Sequence, residues 1–156
     1  RAVLSRGGGA IDLTEDHKPN NPHELERIYS FESLQGLQIE ETGVYRVNGN
    51  LAVARTIGDV HLRPWVSGEA EIRTIEINRE TDQFVILASD GLWDVMSSEE
   101  AVQYVHSIMA RAIQAGSGDG SAVATLRKKK MASYLTDEAM RRGSMDNTTV
   151  AIVWLQ

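Results

Sequence analysis

The stretch Phe84-Val-Ile-Leu-Ala-Ser-Asp-Gly-Leu-Trp-Asp94 decides how this chain is read. Phe84 to Ala88 is apolar at every position, as expected for a strand buried on both faces, although periodicity alone fits a buried helix equally. Asp90 and Asp94 follow directly, and Gly91 lets the chain turn sharply or admits another backbone at close range. Ser144-Met-Asp-Asn-Thr-Thr149 repeats the theme, with Asp146 just ahead of a second β-branched run. A strand end is a rigid place from which to aim a carboxylate. Two or three carboxylates converging there make an oxygen-rich site suited to Mg²⁺ or Mn²⁺.

Working outward, the 156 residues fall in the single-domain range and suffice for a hydrophobic core. A net charge of −6 argues against a general binder of nucleic acid or anionic membrane. No apolar run approaches the roughly 18 residues needed to cross a bilayer. The chain has no cysteine, which removes disulfides, thiolate zinc sites and a phosphocysteine mechanism. With no signal peptide visible, the expected setting is intracellular, cytoplasmic or nuclear. Arg1-Ala-Val-Leu-Ser5 is strand-like from the first residue, which reads as a domain cut within a sheet.

Arg6-Gly-Gly-Gly9 between two short apolar runs predicts a hairpin. Asn21-Pro-His-Glu24 predicts a helix start, with Asn21 as N-cap and Glu24 closing a capping box, and the helix runs to about Phe31. Residues 32–43 show no clean period and read as an irregular insertion. Asn48-Gly49 predicts a hairpin between strands Val44–Val47 and Leu51–Ala54. A further strand is expected over Glu71–Ile77. Ser97-Ser-Glu-Glu100 is a second capping box, followed by Ala101, Val102, Val105, Ile108, Met109 and Ala112 at helical spacing. Residues 114–121 are Gly/Ser-rich and read as a loop. One long helix is expected from Ala122 to Arg142, stopped by Gly143, and a strand over Thr148–Leu155 closes an α+β arrangement with antiparallel pairing.

Several residues carry two readings. A carboxylate buried at a strand end without a partner costs several kcal/mol, so Asp90 and Asp146 each need a cation, an ion pair or backbone N–H groups. Asp146 beside Asn147 also suits a turn or cap. Asp94 is either a further acidic ligand or a turn residue, and Asp59 divides the same way. Arg55 either binds an anion or closes a structural ion pair. His17, His23, His61 and His106 lack a metal-binding His-x₃-His spacing. The run Arg127-Lys-Lys-Lys130 reads as a solvated helix face. Trp93 and Trp154 read as core anchors, and Trp65 as an exposed loop residue.

Thr14-Glu-Asp-His-Lys-Pro19, Arg46-Val-Asn-Gly-Asn-Leu-Ala-Val-Ala-Arg55 with Gly58-Asp59, Ala88-Ser-Asp-Gly-Leu-Trp-Asp-Val95 and Gly143-Ser-Met-Asp-Asn-Thr-Thr-Val150 occur in this order. Together they resemble the second half of the metal-dependent Ser/Thr protein phosphatases, the phosphatase-2C (PPM) family. The resemblance spans nearly the whole chain, from Arg1 to Trp154. It implies part of a four-layer αββα sandwich, two antiparallel sheets flanked by helices, with two Mg²⁺ or Mn²⁺ ions at one end and phosphoprotein substrates. Carried over by motif, Asp90 and Asp146 resemble ligands of a core metal, and Asp94 a residue near a weaker third metal. Arg55 resembles the cleft-side arginine of a Ser-Arg motif in which Ala54 replaces the serine. Residues 31–50 resemble the family's variable flap.

The family's first half carries an Asp-Gly-His-Gly-Gly motif whose Asp bridges both metals, and this chain has no Asp-Gly-His. Of the family's Gly-Asp-Ser-Arg motif only Arg1 remains. The expectation is therefore the C-terminal portion of one phosphatase domain over residues 1–156, inactive alone and completed by a companion chain or the uncut protein. The alternative is a non-catalytic domain of the same fold that binds or regulates a protein partner. An aspartyl-phosphate phosphatase would need an Asp-x-Asp nucleophile on an earlier strand, and none precedes Asp90.

Overall fold

The structure, a computed structural model, describes residues 1–31, 37–39, 43–115 and 121–156. In chain order the elements are β1 (Ala2–Arg6), β2 (Gly9–Asp12), α1 (Pro22–Tyr29), β3 (Leu37–Ile39), β4 (Tyr45–Val47), β5 (Asp82–Ala88), α2 (Asp90–Trp93), α3 (Ser98–Ala115), α4 (Ser121–Lys129), α5 (Met131–Arg141) and β6 (Val150–Trp154). A 3-10 turn covers Val60–Leu62. The chain divides into two compact units, Arg1–Thr14 with Arg73–Gln156, and Glu15–Ile72.

The first unit is built on one antiparallel sheet of order β2-β1-β5-β6. Gly7 and Gly8 both take positive φ in the β1–β2 turn, a conformation a side chain disfavours. Register aligns Val3 with Ile86 and Ile86 with Ile152, all on the face that helices α3, α4 and α5 cover. Phe84 and Ile86 are buried there with Val102, Val105, Met131 and Leu135. Each such side chain contributes about 1.5–3 kcal/mol by leaving water. Phe84 also meets Trp154 edge-on at 5.2 Å. Ser97 and Glu100 form the expected capping box, each side chain bonded to the other's N–H at 3.2 and 2.9 Å. Gly143, at φ +93°, ends α5 with Gly143 N–H to Met140 and Ser144 N–H to Ala139. That pair of bonds is a Schellman motif.

The mixed helix and sheet class is as the sequence implied, and the sheet with its helices is an αβ pair of layers. Several local expectations need correction. The run Phe84–Ala88 is not buried on both faces: Leu87 is 42% exposed, and Val153, the β6 partner of Val85, is 50% exposed. An antiparallel sheet packed by helices on one face leaves the other to alternate outward. The single helix over 122–142 is two, α4 and α5, turning at Lys130 (φ −129°, ψ −25°). No Gly or Pro stands there. The bend follows packing, because α4 lies against α3 while α5 reaches β6 and α2. The stretch Glu71–Ile77 forms no strand, and Ile72 and Ile77 are exposed. A strand needs a ladder partner, and the described residues give it none.

The second unit holds α1 and the β3–β4 ladder, with Ile28, Val47, Ala54, Leu62 and Val66 buried together. Asn48 and Gly49 both take positive φ, as a tight hairpin turn requires. The strand expected after them shrinks to one bridge, Val47 to Leu51, because Ala54 N–H is spent on the His17 carbonyl and the Ala54 carbonyl on Ser67. β4 pairs instead with β3, within the region expected to be irregular; residues 32–36 and 40–42 of that region lie outside the described residues. Of the Gly/Ser-rich stretch 114–121 expected as a loop, Gln114 and Ala115 end α3, Ser121 opens α4, and residues 116–120 lie outside the described residues. Trp65 packs against this second core rather than standing exposed.

Asp82 opens β5 fully buried. Its carboxylate accepts from Arg6 Nε at 2.6 Å and Nη2 at 2.8 Å and from the Asn78 N–H at 2.9 Å. The Arg6 hydrogen bond leads in holding its pKa down to about 2, against burial. A lowered folded pKa means stability present above the ordinary carboxylate value of 3.8 and lost as pH falls through about 2. Urea midpoints measured between pH 7 and 2 should show Asp82→Asn less stable at neutral pH, with the gap to the wild type closing between about pH 4 and 2.

Candidate metal site at the end of the sheet

β5 ends at Ala88, and Ser89 turns the chain into the one-turn helix α2. Leu92 and Trp93 anchor that turn in the core, and Trp93 Nε1 donates to the Ala88 carbonyl at 2.9 Å. Asp90 is thereby placed at the first position of α2 and is exposed. Its carboxylate has no hydrogen-bond or ion-pair partner among the described residues. Asp94 follows one turn later at the end of α2, also exposed. Asp146 lies on the exposed segment between α5 and β6, and its Oδ1 accepts from the Asn147 N–H at 2.6 Å.

Antiparallel pairing of Ala88 with Val150 brings the two segments to the same end of the sheet. Beyond the ladder they stay joined. Ser89 N–H donates to the Thr149 carbonyl at 3.0 Å, Ser89 Oγ to the Asn147 carbonyl at 3.1 Å, and Ser144 Oγ to the Gly91 carbonyl at 2.6 Å. Gly91 is needed for approach and not for a positive φ. A Cβ there would stand 2.6 Å from Thr148 Oγ1 and 2.7 Å from the Asn147 oxygen. Arg142 supports both segments, donating to Glu138 at 2.9 Å, Glu100 at 2.7 Å and the Val95 carbonyl at 3.3 Å. Its hydrogen bonds lead in holding the Glu100 pKa down to about 2, and those of Arg141 and Arg142 do the same for Glu138.

Asp90 and Asp146 are thus neighbours by backbone, though as exposed groups and not the buried ones the sequence suggested. An exposed, unpartnered carboxylate on a segment joined to a second acidic segment offers the oxygen donors a hard cation prefers. Among the described residues no three acidic or imidazole groups converge to enclose a metal. The donor set fits Mg²⁺ or Mn²⁺ as part of a site.

Arg55, in the second unit, is occupied elsewhere. Its Nε and Nη2 grip Glu24 Oε1 at 2.7 and 2.6 Å, and Arg27 holds Oε2 at 2.8 Å. His17 Nδ1 lies 3.2 Å from the same Oε1. Burial pushes the Glu24 carboxyl up, but the two arginines outweigh it and hold it below the usual range. Of the two roles open to Arg55, the structure shows the ion pair. Glu24 consequently closes no capping box; Asn21 caps α1 through the His23 N–H alone, at 3.0 Å. Asp59 takes a left-handed turn conformation ahead of Val60–Leu62. Sequence reasoning missed Ser89, Ser144 and Arg142, whose partners are 58, 53 and 47 residues away. No local pattern marks such contacts.

The family model for protein phosphatase 2C matches residues 1–148. The chain belongs to the protein phosphatase 2C family. Among curated relatives, the probable protein phosphatase 2C 8 of Oryza sativa subsp. japonica is 42% identical over all of this chain and 37% of its own length. The probable protein phosphatase 2C 30 of Arabidopsis thaliana is 42% identical over all of this chain and 36% of its own. The chain therefore spans just over a third of these phosphatase 2C relatives. Among solved structures, a sex-determining protein of C. elegans superposes with a TM-score of 0.79 at 28% identity, over 99% of this chain and 34% of that one. A phosphatase from Toxoplasma gondii gives 0.66 at 28% identity, over 100% and 46%.

Gly91→Ala should force the Asp146 segment away from α2. Overpacking of this kind costs about 1–3 kcal/mol, and thermal unfolding should show the corresponding fall in Tm.

Proposed function

We propose that this chain is the C-terminal portion of a Mg²⁺/Mn²⁺-dependent protein serine/threonine phosphatase domain, with Asp90 and Asp146 holding one metal between them. The observation that carries the reading is the cross-bonding of the Asp90 and Asp146 segments at one end of the sheet, each of which bears an exposed carboxylate. A divalent ion held there supplies a water nucleophile at neutral pH and neutralises charge on the phosphoryl group. The chain's own part is to present hard oxygen donors on a rigid strand end and to anchor them through Trp93 and Leu92. Asp94, one turn from Asp90, belongs beside a more weakly held further ion. Arg55 supports the second unit through its ion pair with Glu24.

Two carboxylates make half a site. The outer face of the sheet, with Leu87 and Val153 open, is also what a sheet shows when a second layer belongs on it. Both features support completion by a segment bearing the rest of the domain, in keeping with the chain's span of its relatives. This chain alone is then inactive, and phosphoproteins are substrates of the completed domain.

Phosphopeptide hydrolysis with added Mn²⁺ tests the reading, using this chain alone and mixed with a chain supplying the family's first half. Activity is expected in the mixture only. Asp90→Ala and Asp146→Ala should each lower it by at least ~100-fold, since the metal supplies several kcal/mol of transition-state stabilisation. Equal activity in the chain alone would overturn the half-site. A folded mixture without hydrolysis would favour the non-catalytic, partner-binding domain.

A further inference from the structure

The β5–β6 ladder stops at Ala88 and Val150, short of both aspartates. What joins the chain beyond it is reciprocal. Ser89, one residue before Asp90, donates its hydroxyl to the carbonyl of Asn147, one residue after Asp146. Ser144, two residues before Asp146, donates its hydroxyl to the carbonyl of Gly91, one residue after Asp90. Each aspartate is thus bracketed by a donor on one side and an acceptor on the other. Ser89 Oγ also accepts the Thr149 N–H at 3.0 Å, so both its hydrogen-bonding roles are used across the gap. The missing side chain of Gly91 lets the segments close to this distance.

We propose that Ser89 and Ser144 are positioning residues that fix the spacing of the Asp90 and Asp146 carboxylates and so set divalent-cation affinity, an inference that rests on the metal reading above. Mg²⁺ demands near-octahedral geometry at short distances, and Mn²⁺ likewise prefers oxygen donors in octahedral array, so a small change in donor spacing is felt directly in binding. A serine hydroxyl is short and has a single rotor, so it holds two backbones closer and more rigidly than a longer polar side chain can. The backbone bond from Ser89 N–H to Thr149 survives removal of either hydroxyl, so the sheet end persists while its spacing relaxes.

The test uses the complete phosphatase with Ser144→Ala, Ser89→Ala, the double variant and Ser144→Thr, alongside Asp90→Ala. Mn²⁺ affinity is read by paramagnetic resonance of the free ion, apo Tm by calorimetry, and kcat and KM on a phosphopeptide. Each Ser→Ala change should weaken Mn²⁺ binding ~10-fold and the pair ~100-fold, the range for losing partners that orient metal ligands. KM should stay unchanged, kcat should recover at saturating Mn²⁺, and Ser144→Thr should restore most of the affinity. Unchanged Mn²⁺ affinity with a lowered apo Tm would overturn the proposal and leave the hydroxyls a purely structural role. If Ser144→Ala does not fold, Ser89→Ala decides. Wild-type Mn²⁺ binding by Asp90→Ala would overturn the metal reading itself; loss of binding there with none in the serine variants would overturn only the positioning role.

Discussion

Everything in the first unit depends on β5 being hydrogen-bonded on both sides. Its neighbours come from the two ends of the chain, β1 at residues 2–6 and β6 at 150–154. A central strand cannot leave its N–H and C=O groups unpaired once helices exclude water from one face. Satisfying them draws Ala88 against Val150, and the Arg1 amino group to the Ala88 carbonyl at 3.0 Å. Because both pairings are antiparallel, whatever follows β5 emerges where β6 begins. The meeting of the Asp90 and Asp146 segments is a consequence of strand direction, before any side chain acts.

The carboxylates divide into two populations by environment. Asp82, Glu24 and Glu138 are buried, and each is saturated by arginine: Arg6, Arg27 with Arg55, and Arg141 with Arg142. A buried charge left unpaired would cost several kcal/mol, so these acids are tied to structure. Asp90 and Asp146 lie outside the core, where water carries the cost of their charge, and so remain available to a ligand. Burial marks the structural acids, whereas Asp90 and Asp146 face solvent.

Some of this was legible from residues alone because the cause was local. The Ser97/Glu100 box, the Gly143 stop and the glycines of the first turn each arise within a few residues and appear as read. The failures share a different cause. Asn21-Pro-His-Glu24 has the same local grammar as the second box, yet Glu24 turns to Arg27 and Arg55, because two guanidinium groups outbid one N–H. Lys130 carries no breaker and still ends a helix: α4 and α5 both touch α3, but α5 alone goes on to pack against β6 and α2. Val44–Ala54 holds a sound turn, but the backbone after Leu51 is claimed by His17 and Ser67.

The sequence by itself determined which segments are apolar, where helices are capped, that cysteine chemistry is absent, and that two acidic motifs stand at strand ends in an order matching protein phosphatase 2C. These follow from composition and short-range spacing, which a linear reading holds in full. Tertiary structure alone decided that Arg55 is bound to Glu24, that Asp90 is exposed, and that Ser89 and Ser144 clasp the two acidic segments. Those outcomes turn on contacts 31 to 58 residues apart. Each is settled by competition among donors and acceptors that only meet once the sheet has formed.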